Sequence, residues 1–387
     1  MKESPSGRYE TTTTAGEAVR AFVPNPLQPQ PSIDLTGQRQ LLLGRALIAC
    51  GELNGIAAIL PDPDLFLYAY VRREAVLSSQ IEGTQSSLSD LLLFELDESP
   101  GVPFDDVVEV SNYVNALDHG LRRLHEDFPL SNRLLREMHA KLLARGRGAD
   151  KAAGEFRSTQ NWIGGTRPGN AHFVPPPPAR VEDCMADLER FIHRDSPPIP
   201  ALVKAAVAHV QFETIHPFLD GNGRVGRLLI VLMLHEARVL RQPLLYLSLY
   251  LKRHRSEYYR LLDSVRQEGA WEPWLDFFLE GVEQTAVSAV DTAHRLLALF
   301  REDAERVDAL GRSTANTRRV FGALRDRPLR TVTDLAERTG VSYPTAAKSV
   351  DALVSLGIAR EISGRKRNRI FAYDRYLAIL NEGTEPL

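Results

Sequence analysis

The twelve residues from His216 to Arg227, His-Pro-Phe-Leu-Asp-Gly-Asn-Gly-Arg-Val-Gly-Arg, contain every group that a phosphoryl or nucleotidyl transfer needs. His216 is the one side chain among them able to accept a proton near neutral pH. Asp220 offers a hard oxygen to Mg²⁺, which usually arrives with phosphates and one or two carboxylates. Gly221 and Gly223 let the main chain approach phosphate oxygens closely. Arg224 and Arg227, three apart, share a helix face and can grip further oxygens. Base, metal ligand, anion cradle and charge clamp together suit transfer chemistry. Two other readings of the region stay open. His209, Glu213 and His216 recur at i, i+4 and i+7, a spacing for metal ligands. That reading leaves the arginines and glycines unexplained, and His209 reads better as a structural histidine. A phosphate loop that binds without catalysing is the other.

These residues need helices to aim them. Ala201–Ile215 contains no proline and reads as a helix that Pro217 ends, and Leu228–Glu236 begins another strong helical run. The Gly-Asn-Gly segment then sits at a helix N-terminus, where unpaired N–H groups and the positive dipole end attract anions. From about Leu41 to Phe300 the pattern is mostly helical, broken at Pro61/Pro63, Gly83, Pro100–Pro103, Pro129 and Pro197–Pro200. The exception is Asn161–Pro178, NWIGGTRPGNAHFVPPPP, which reads as a small hairpin or flap with an extended exit. One further residue draws notice. Glu82 lies in the last turn of a helix before Gly83, a natural C′ residue. A carboxylate there opposes the helix dipole unless a cation faces it.

The segment His216–Arg227 resembles the Fic motif, His-x-Phe-x-Asp/Glu-Gly-Asn-Gly-Arg-x-x-Arg, at every fixed position. Fic proteins are mostly adenylyltransferases that move AMP from ATP onto a hydroxyl of a target protein. The resemblance implies that His216 deprotonates the target hydroxyl and that Asp220 holds Mg²⁺. It implies that Gly221, Asn222, Gly223, Val225 and Gly226 cradle the α- and β-phosphates, with Arg224 and Arg227 stabilising the departing pyrophosphate. Ser78-Ser79-Gln80-Ile81-Glu82-Gly83 is similar to the inhibitory pattern of the same family, Ser/Thr-x-x-x-Glu-Gly/Asn, with Ser78 and Glu82 at its defining positions. It implies an ion pair between Glu82 and Arg227 that occupies the arginine meant for the γ-phosphate and turns the α-phosphate away from in-line attack. This would be the N-terminally inhibited class.

Supporting segments match as well. FVPNPLQPQPSIDL resembles the arm before many Fic cores, and GEFRSTQNWIGG resembles the stretch leading into the target-docking flap. Such a flap pairs with a target backbone by strand addition. Tyr258 and Tyr259 resemble the aromatic pair lining the adenine pocket, and equally read as core aromatics. The resemblance covers about Phe22 to Phe300.

The chain has 387 residues and a net charge of −3, with an uneven split. From Arg312 to Leu380, 14 basic residues face 6 acidic ones. A basic end module beside an acidic body is a reason to look for nucleic acid at that end. Helical patterns at Thr317–Leu324, Thr333–Arg338 and Tyr343–Leu356, then strand-like Ala359–Ser363 and Arg369–Tyr373, have the layout of a winged helix-turn-helix. Ser342 reads as an N-cap, and Tyr343, Thr345, Lys348 and Ser349 would face a major groove. The wing Gly364-Arg365-Lys366-Arg367-Asn368-Arg369 would hold phosphates. Protein contact is the alternative use of such a module.

The expected fold is mainly α: an all-helical core with a small β-hairpin flap, then a small α+β winged-helix domain. The divisions read as an extended arm over 1–37, polyproline-like at FVPNPLQPQPS (22–32), a helical region with the inhibitory helix over 38–110, a core over 111–300 and the winged helix over 312–380. The expected function is a protein adenylyltransferase, autoinhibited by Glu82, that acts on a target or on itself. A nucleotide-sensing, DNA-binding regulator is the alternative. Composition is that of a globular protein, which excludes general disorder. Two cysteines exclude a disulfide scaffold. No unbroken apolar run approaches the length of a membrane span, and the first residues lack the apolar core of a signal peptide, so a cytoplasmic protein without membrane attachment is the expectation. A homodimer is compatible with all of this. The residues do not specify the target, the modified side chain, the nucleotide beyond ATP, or whether AMP is also removed.

Overall fold

The computed structural model describes residues 4–14, 16–27, 33–59, 63–96, 102–311, 314–365 and 368–385. Two strands, β1 (Gly7–Thr14) and β2 (Glu17–Pro24), open the chain as an antiparallel hairpin with Gly7 opposite Pro24 and Thr14 opposite Glu17. Phe22–Pro24, the first residues of the stretch read as polyproline-like, instead end β2. A run of threonines and the alternating Val19, Ala21 and Val23 favour a pleated pair, and β2 buries those residues together with Phe22. The stretch 28–32, which holds Pro29 and Pro31, lies outside the described residues.

Helix α1 (Gln38–Ile59) and helix α2 (Pro63–Ile81) follow. Residues Gln38–Ala58 of α1 are long and apolar enough to cross a bilayer, with a mean hydropathy of 1.4, and only 33% of that window is buried. Arg45, Glu52 and several glycines interrupt it, so it contains no long unbroken apolar run. In this fold α1 lies along α11 (Trp271–Asp308), tied by Arg39 to Asp276 at 2.7 Å and by Arg45 to Glu283 at 3.0 Å. Short α3 (Leu88–Phe94) carries a capping box between Ser87 and Asp90. Helices α4 (Phe104–His125) and α5 (Asn132–Leu142) pack together, and α6 (Pro178–Ile192) leads to the central pair.

That pair is α7 (Ala201–Ile215) and α8 (Asn222–Glu236), which flank the candidate loop. Both are buried on nearly every side, as helices with apolar residues all round must be. Helix α8 begins at Asn222, earlier than the apolar run at Leu228 suggested, because the glycine-rich turn is itself the first helical turn. Helices α9 (Ser248–Arg253), α10 (Arg255–Glu268) and α11 close the body, and Trp274 of α11 donates to the Ala206 carbonyl at 2.9 Å.

The expected flap over Asn161–Pro178 is present, folded back on itself by a single antiparallel pair rather than by two full strands. It contains one isolated bridge, Ile163 to Phe173, and a single 3₁₀ turn at Pro168–Asn170, since its prolines and glycines leave too few paired donors. The hairpin supplies the neighbouring strand, with Phe22 N–H donating to the Val174 carbonyl at 2.9 Å.

The division between 300 and 312 is bridged by α11, which runs unbroken to Asp308. The far unit packs on its end: Phe300 meets Tyr376 edge-on at 5.1 Å, and Tyr373 donates to buried Asp303 at 2.6 Å. This unit comprises α12 (Thr314–Asp326), β3 (Leu329–Thr331), α13 (Val332–Thr339), α14 (Tyr343–Ser355), β4 (Arg360–Glu361), β5 (Ile370–Ala372) and α15 (Asp374–Asn381). Its sheet has the order β3-β5-β4, all antiparallel. Strand β3, three residues long, was not anticipated; it is too short to show a period. Gly340 turns the chain between α13 and α14 at φ 67°. Ser342 occupies the N-cap position of α14 without a side-chain bond to the helix and pairs with the Thr345 hydroxyl at 2.8 Å instead. Tyr343 and Lys348 are exposed, whereas Ser349 is buried and cannot face a groove. Wing residues Lys366 and Arg367 lie outside the described residues. One continuous apolar core runs through both units.

Candidate active site

His216 ends α7 in the left-handed region, at φ 49° and ψ 60°. A non-glycine residue held there needs support from its surroundings. Arg157 provides it, with Nε donating to the His216 carbonyl at 2.9 Å and Nη2 donating to the Pro176 carbonyl at 2.6 Å. Asn222 then locks the turn. Its Oδ1 accepts from Phe218 N–H at 2.8 Å, and its Nδ2 donates to the Phe218 carbonyl at 2.8 Å. The Asn222 side chain, expected in the phosphate cradle, is thus committed to the loop. Its main-chain N–H remains at the open end of α8 with those of Gly223 and Arg224. Gly221 caps that helix at φ 75°, a conformation suited to glycine.

His139 of α5 holds the loop from below. Gly154 N–H donates to Nδ1 at 2.8 Å, so Nε2 carries the proton and donates to the Asp220 carbonyl at 3.0 Å. Its ring stacks on Phe218 with centroids 3.8 Å apart. The Asp220 carboxylate is 39% exposed, with Oδ1 accepting from Gly221 N–H at 2.5 Å. Arg224 reaches Oδ1 at 3.5 Å but is held more firmly by Glu109 of α4, at 2.9 Å. Glu109 also accepts from Arg147 at 2.7 Å. Sequence reasoning found neither Glu109 nor His139. A shared motif is contiguous, whereas these two arrive from other helices.

Arg227 is bound on three sides. Its Nε donates to Ser78 Oγ at 2.7 Å, and its Nη2 donates to the Ser78 carbonyl at 2.9 Å and to Glu82 Oε1 at 2.8 Å. The pairing expected between Glu82 and Arg227 is present, and Ser78 shares in it. Burial pulls the Glu82 carboxyl up, but the adjacent Arg227, with Arg224 and His216 behind it, outweighs burial and leaves the group below its ordinary value. Glu82 sits directly over the start of α8. A Cβ on Gly223 would lie 2.2 Å from Glu82 Oε1, so glycine there is what lets the carboxylate enter.

Burial, with Arg266 and Arg157 nearby, pushes the His216 imidazole down to about 3, so it is unprotonated at neutral pH and a weaker base than a free imidazole. Among the described residues its Nδ1 has no hydrogen-bond partner, and Glu213 Oε2 stands 4.0 Å away. Burial raises Glu213 to about 7, against the pull of Arg227. The metal reading of His209, Glu213 and His216 fails: among the described residues no three or more of His, Cys, Asp and Glu converge on one point. His209 uses both nitrogens on Gly226 and Tyr258, at 3.0 and 2.9 Å. The tyrosine pair divides accordingly. Tyr258 is 1% exposed and bonded to His209, while Tyr259 keeps an exposed ring 5.0 Å from it. Val225 is fully buried and Gly226 packs against Glu213, where a Cβ would stand 2.5 Å from Oε1.

Comparison with known proteins places this loop in context. Residues 40–122 match the Fic/DOC family N-terminal model and residues 129–234 match the Fic/DOC family model. A protein named "Protein adenylyltransferase Fic" from Culex quinquefasciatus is 31% identical over 185 residues, covering 46% of this chain and 34% of that protein. Its counterpart of the same name from Drosophila melanogaster is 33% identical over 150 residues, covering 38% of this chain and 27% of the relative. The chain thus spans about a third of the length of these curated relatives. A Fic family protein from Desulfovibrio desulfuricans G20 shares the fold, with TM-score 0.54 and 22% identity over 86% of this chain and 95% of that one. Fic-1 from C. elegans does so with TM-score 0.51 and 23% identity over 65% of this chain and 72% of that one.

Proposed function

We propose, on the premise that this chain carries the N-terminal and core domains of the Fic/DOC family, that it is a protein adenylyltransferase held in a braked state by Glu82. The observation that carries the proposal is the capture of Arg227 by Ser78 and Glu82 above an intact His216–Arg227 loop. The named relatives supply the class of reaction.

In this reading the phosphates of ATP lie on the N–H groups that open α8, with the γ-phosphate on Arg227 once Glu82 has left. His216 takes the proton of an incoming Ser, Thr or Tyr hydroxyl on a target protein or on the chain itself. The hydroxyl oxygen bonds to the α-phosphorus as the α–β anhydride bond breaks, and pyrophosphate departs. Asp220 would hold Mg²⁺. A single, partly exposed carboxylate beside an anion cradle fits an ion that takes most of its other ligands from water and phosphate. That ion would neutralise phosphate charge. Tyr259 would border the adenine, and the edge at Ile163–Phe173 would receive a target strand. Arg224, held by Glu109, would shield the β-phosphate from that fixed place.

The far unit fits a winged helix-turn-helix, and its basic surface supports DNA as a partner. This keeps a second reading, a nucleotide-sensing regulator in the cytoplasm, because the unit shares α11 with the catalytic body. One experiment separates the two. Glu82→Gly is incubated with Mg²⁺ and each labelled nucleotide in turn, and labelled protein is sought. Strong labelling from α-labelled ATP, abolished in His216→Ala, is the expected result. Nucleotide binding with no transfer from any donor would overturn the enzyme reading.

A further inference from the structure

Residues 382–385, which follow α15, lie on α2, the helix that ends at Ile81 just before Glu82. Arg73 Nη2 donates to the Glu382 carbonyl at 2.7 Å. Gln80 Nε2 donates to the Thr384 carbonyl at 2.8 Å and to the Ser86 carbonyl at 2.9 Å. Lys252 Nζ of α9 donates to Gln80 Oε1 at 2.7 Å and to the Glu385 carbonyl. None of the three donors is on the surface: Arg73, Gln80 and Lys252 are 6%, 1% and 6% exposed, and Thr384 is 2% exposed.

This arrangement bears on the brake by position. Gln80 stands two residues before Glu82, and its amide spans the Gly83 turn to Ser86. The Gly83 N–H donates back to the Gln80 carbonyl at 3.0 Å. Gln80 therefore fixes the path along which the chain leaves α2, and that path aims Glu82 at Arg227. Gln80 in turn has both amide hydrogens and its oxygen in use. Without residues 382–385 it would lose one acceptor, and the Lys252 ammonium would lose two, the Gly383 and Glu385 carbonyls. A buried donor left unpaired costs more than the bond was worth, and a buried charge costs more still. Side chains in that state rearrange.

We infer that residues 382–385 form a clasp on α2, with Gln80 and Lys252 as positioning residues for Glu82, so that the far unit sets the strength of the brake. The inference rests on the braked-transferase reading. Because α15 leads into the clasp, a partner that draws α15 from α2 loosens Glu82. By linkage, a nucleotide that displaces Glu82 loosens the clasp equally.

The test uses the full chain, with Lys252→Met, deletion of residues 382–387, Glu82→Gly, and each of the first two combined with Glu82→Gly. Self-labelling with Mg²⁺ and labelled ATP is read together with hydrogen exchange of amides 79–86. Lys252→Met and the deletion should each raise labelling by about tenfold or more, the effect of losing one hydrogen bond to a charged group. Neither should add to Glu82→Gly. If Glu82→Gly is activated while both tail variants label like the parent with unchanged protection at 79–86, the clasp is overturned. If Glu82→Gly itself does nothing, the braked reading has failed, and exchange decides alone: faster exchange at 79–86 in the tail variants upholds the positional link, and unchanged exchange removes it. Should the deletion fail to fold, Lys252→Met carries the same comparison.

Discussion

In the proposed reading, Arg227 is the side chain on which inhibition and chemistry compete. Its guanidinium donates to Ser78 twice and to Glu82 once, and the same fork is suited to phosphate oxygens. Glu82→Gly should raise self-adenylylation by about 10²-fold, since misorientation of about 1 Å costs that much. Arg227→Ala should be slow with or without Glu82. The double variant should match Arg227→Ala alone, the non-additivity of two residues in one contact. Additive effects in a rate assay would mean that the contact does not control catalysis. A second prediction concerns pH. Burial raises both Glu213 and Glu74 to about 7, from an ordinary value near 4.5. A carboxyl raised on folding contributes stability that is complete below its unfolded value and is lost as pH rises through the folded one. Between about pH 4.5 and 7 the protein should therefore lose stability, by up to about 3 kcal/mol for each group. Thermal melts should show Glu213→Gln falling less steeply than the parent over that window; parallel curves would mean that Glu213 is not protonated in the fold. Glu82 and Arg227 were legible as two motifs, and their meeting was implied by resemblance. Glu213, by contrast, read only as a discarded metal ligand, because burial is invisible in a lone residue type.

At the scale of elements, the active loop is a helix end joined to a helix start, and Asn222 is the brace between them. Both ends of its amide bond the Phe218 main chain in a buried place. Asn222→Ala should lower stability by roughly 2–4 kcal/mol, for two buried main-chain groups left unpaired. Urea titration measures this, and a loss under 1 kcal/mol would show that the brace is not needed. Nucleotide binding should weaken in the same variant, because the N–H groups opening α8 lose their fixed direction. Helices α2, α7 and α8 were readable from apolar spacing and from prolines and glycines, which act locally. The β1–β2 hairpin was not, because its proline-rich sequel drew the reading toward an extended arm. The flap was read as a hairpin from its turn residues, yet its strand partner is β2, over 140 residues away, which no local pattern can show.

At the scale of the molecule, an acidic body and a basic far unit are joined by one 38-residue helix. Neutralising Arg365, Lys366, Arg367 and Arg369 together should weaken duplex binding and lower its salt slope by up to about four counterions. Self-labelling should be unchanged, since the wing is not part of the clasp. Titration of labelled duplex over a salt series measures the slope. No binding even at low salt would assign the unit to protein contact. The sequence by itself determined the residue set of the loop, the helices on either side of it, the Ser78–Gly83 pattern and the charge split. These depend on residue type and on spacing over a few turns, where sterics, capping and proline act locally. Only the tertiary structure decided that Ser78 shares Arg227, that Glu109 and His139 hold the loop, that Tyr258 is core while Tyr259 is exposed, and that residues 382–385 rest on α2. Each of those depends on which distant surfaces are buried together, and burial is a property of the packed whole.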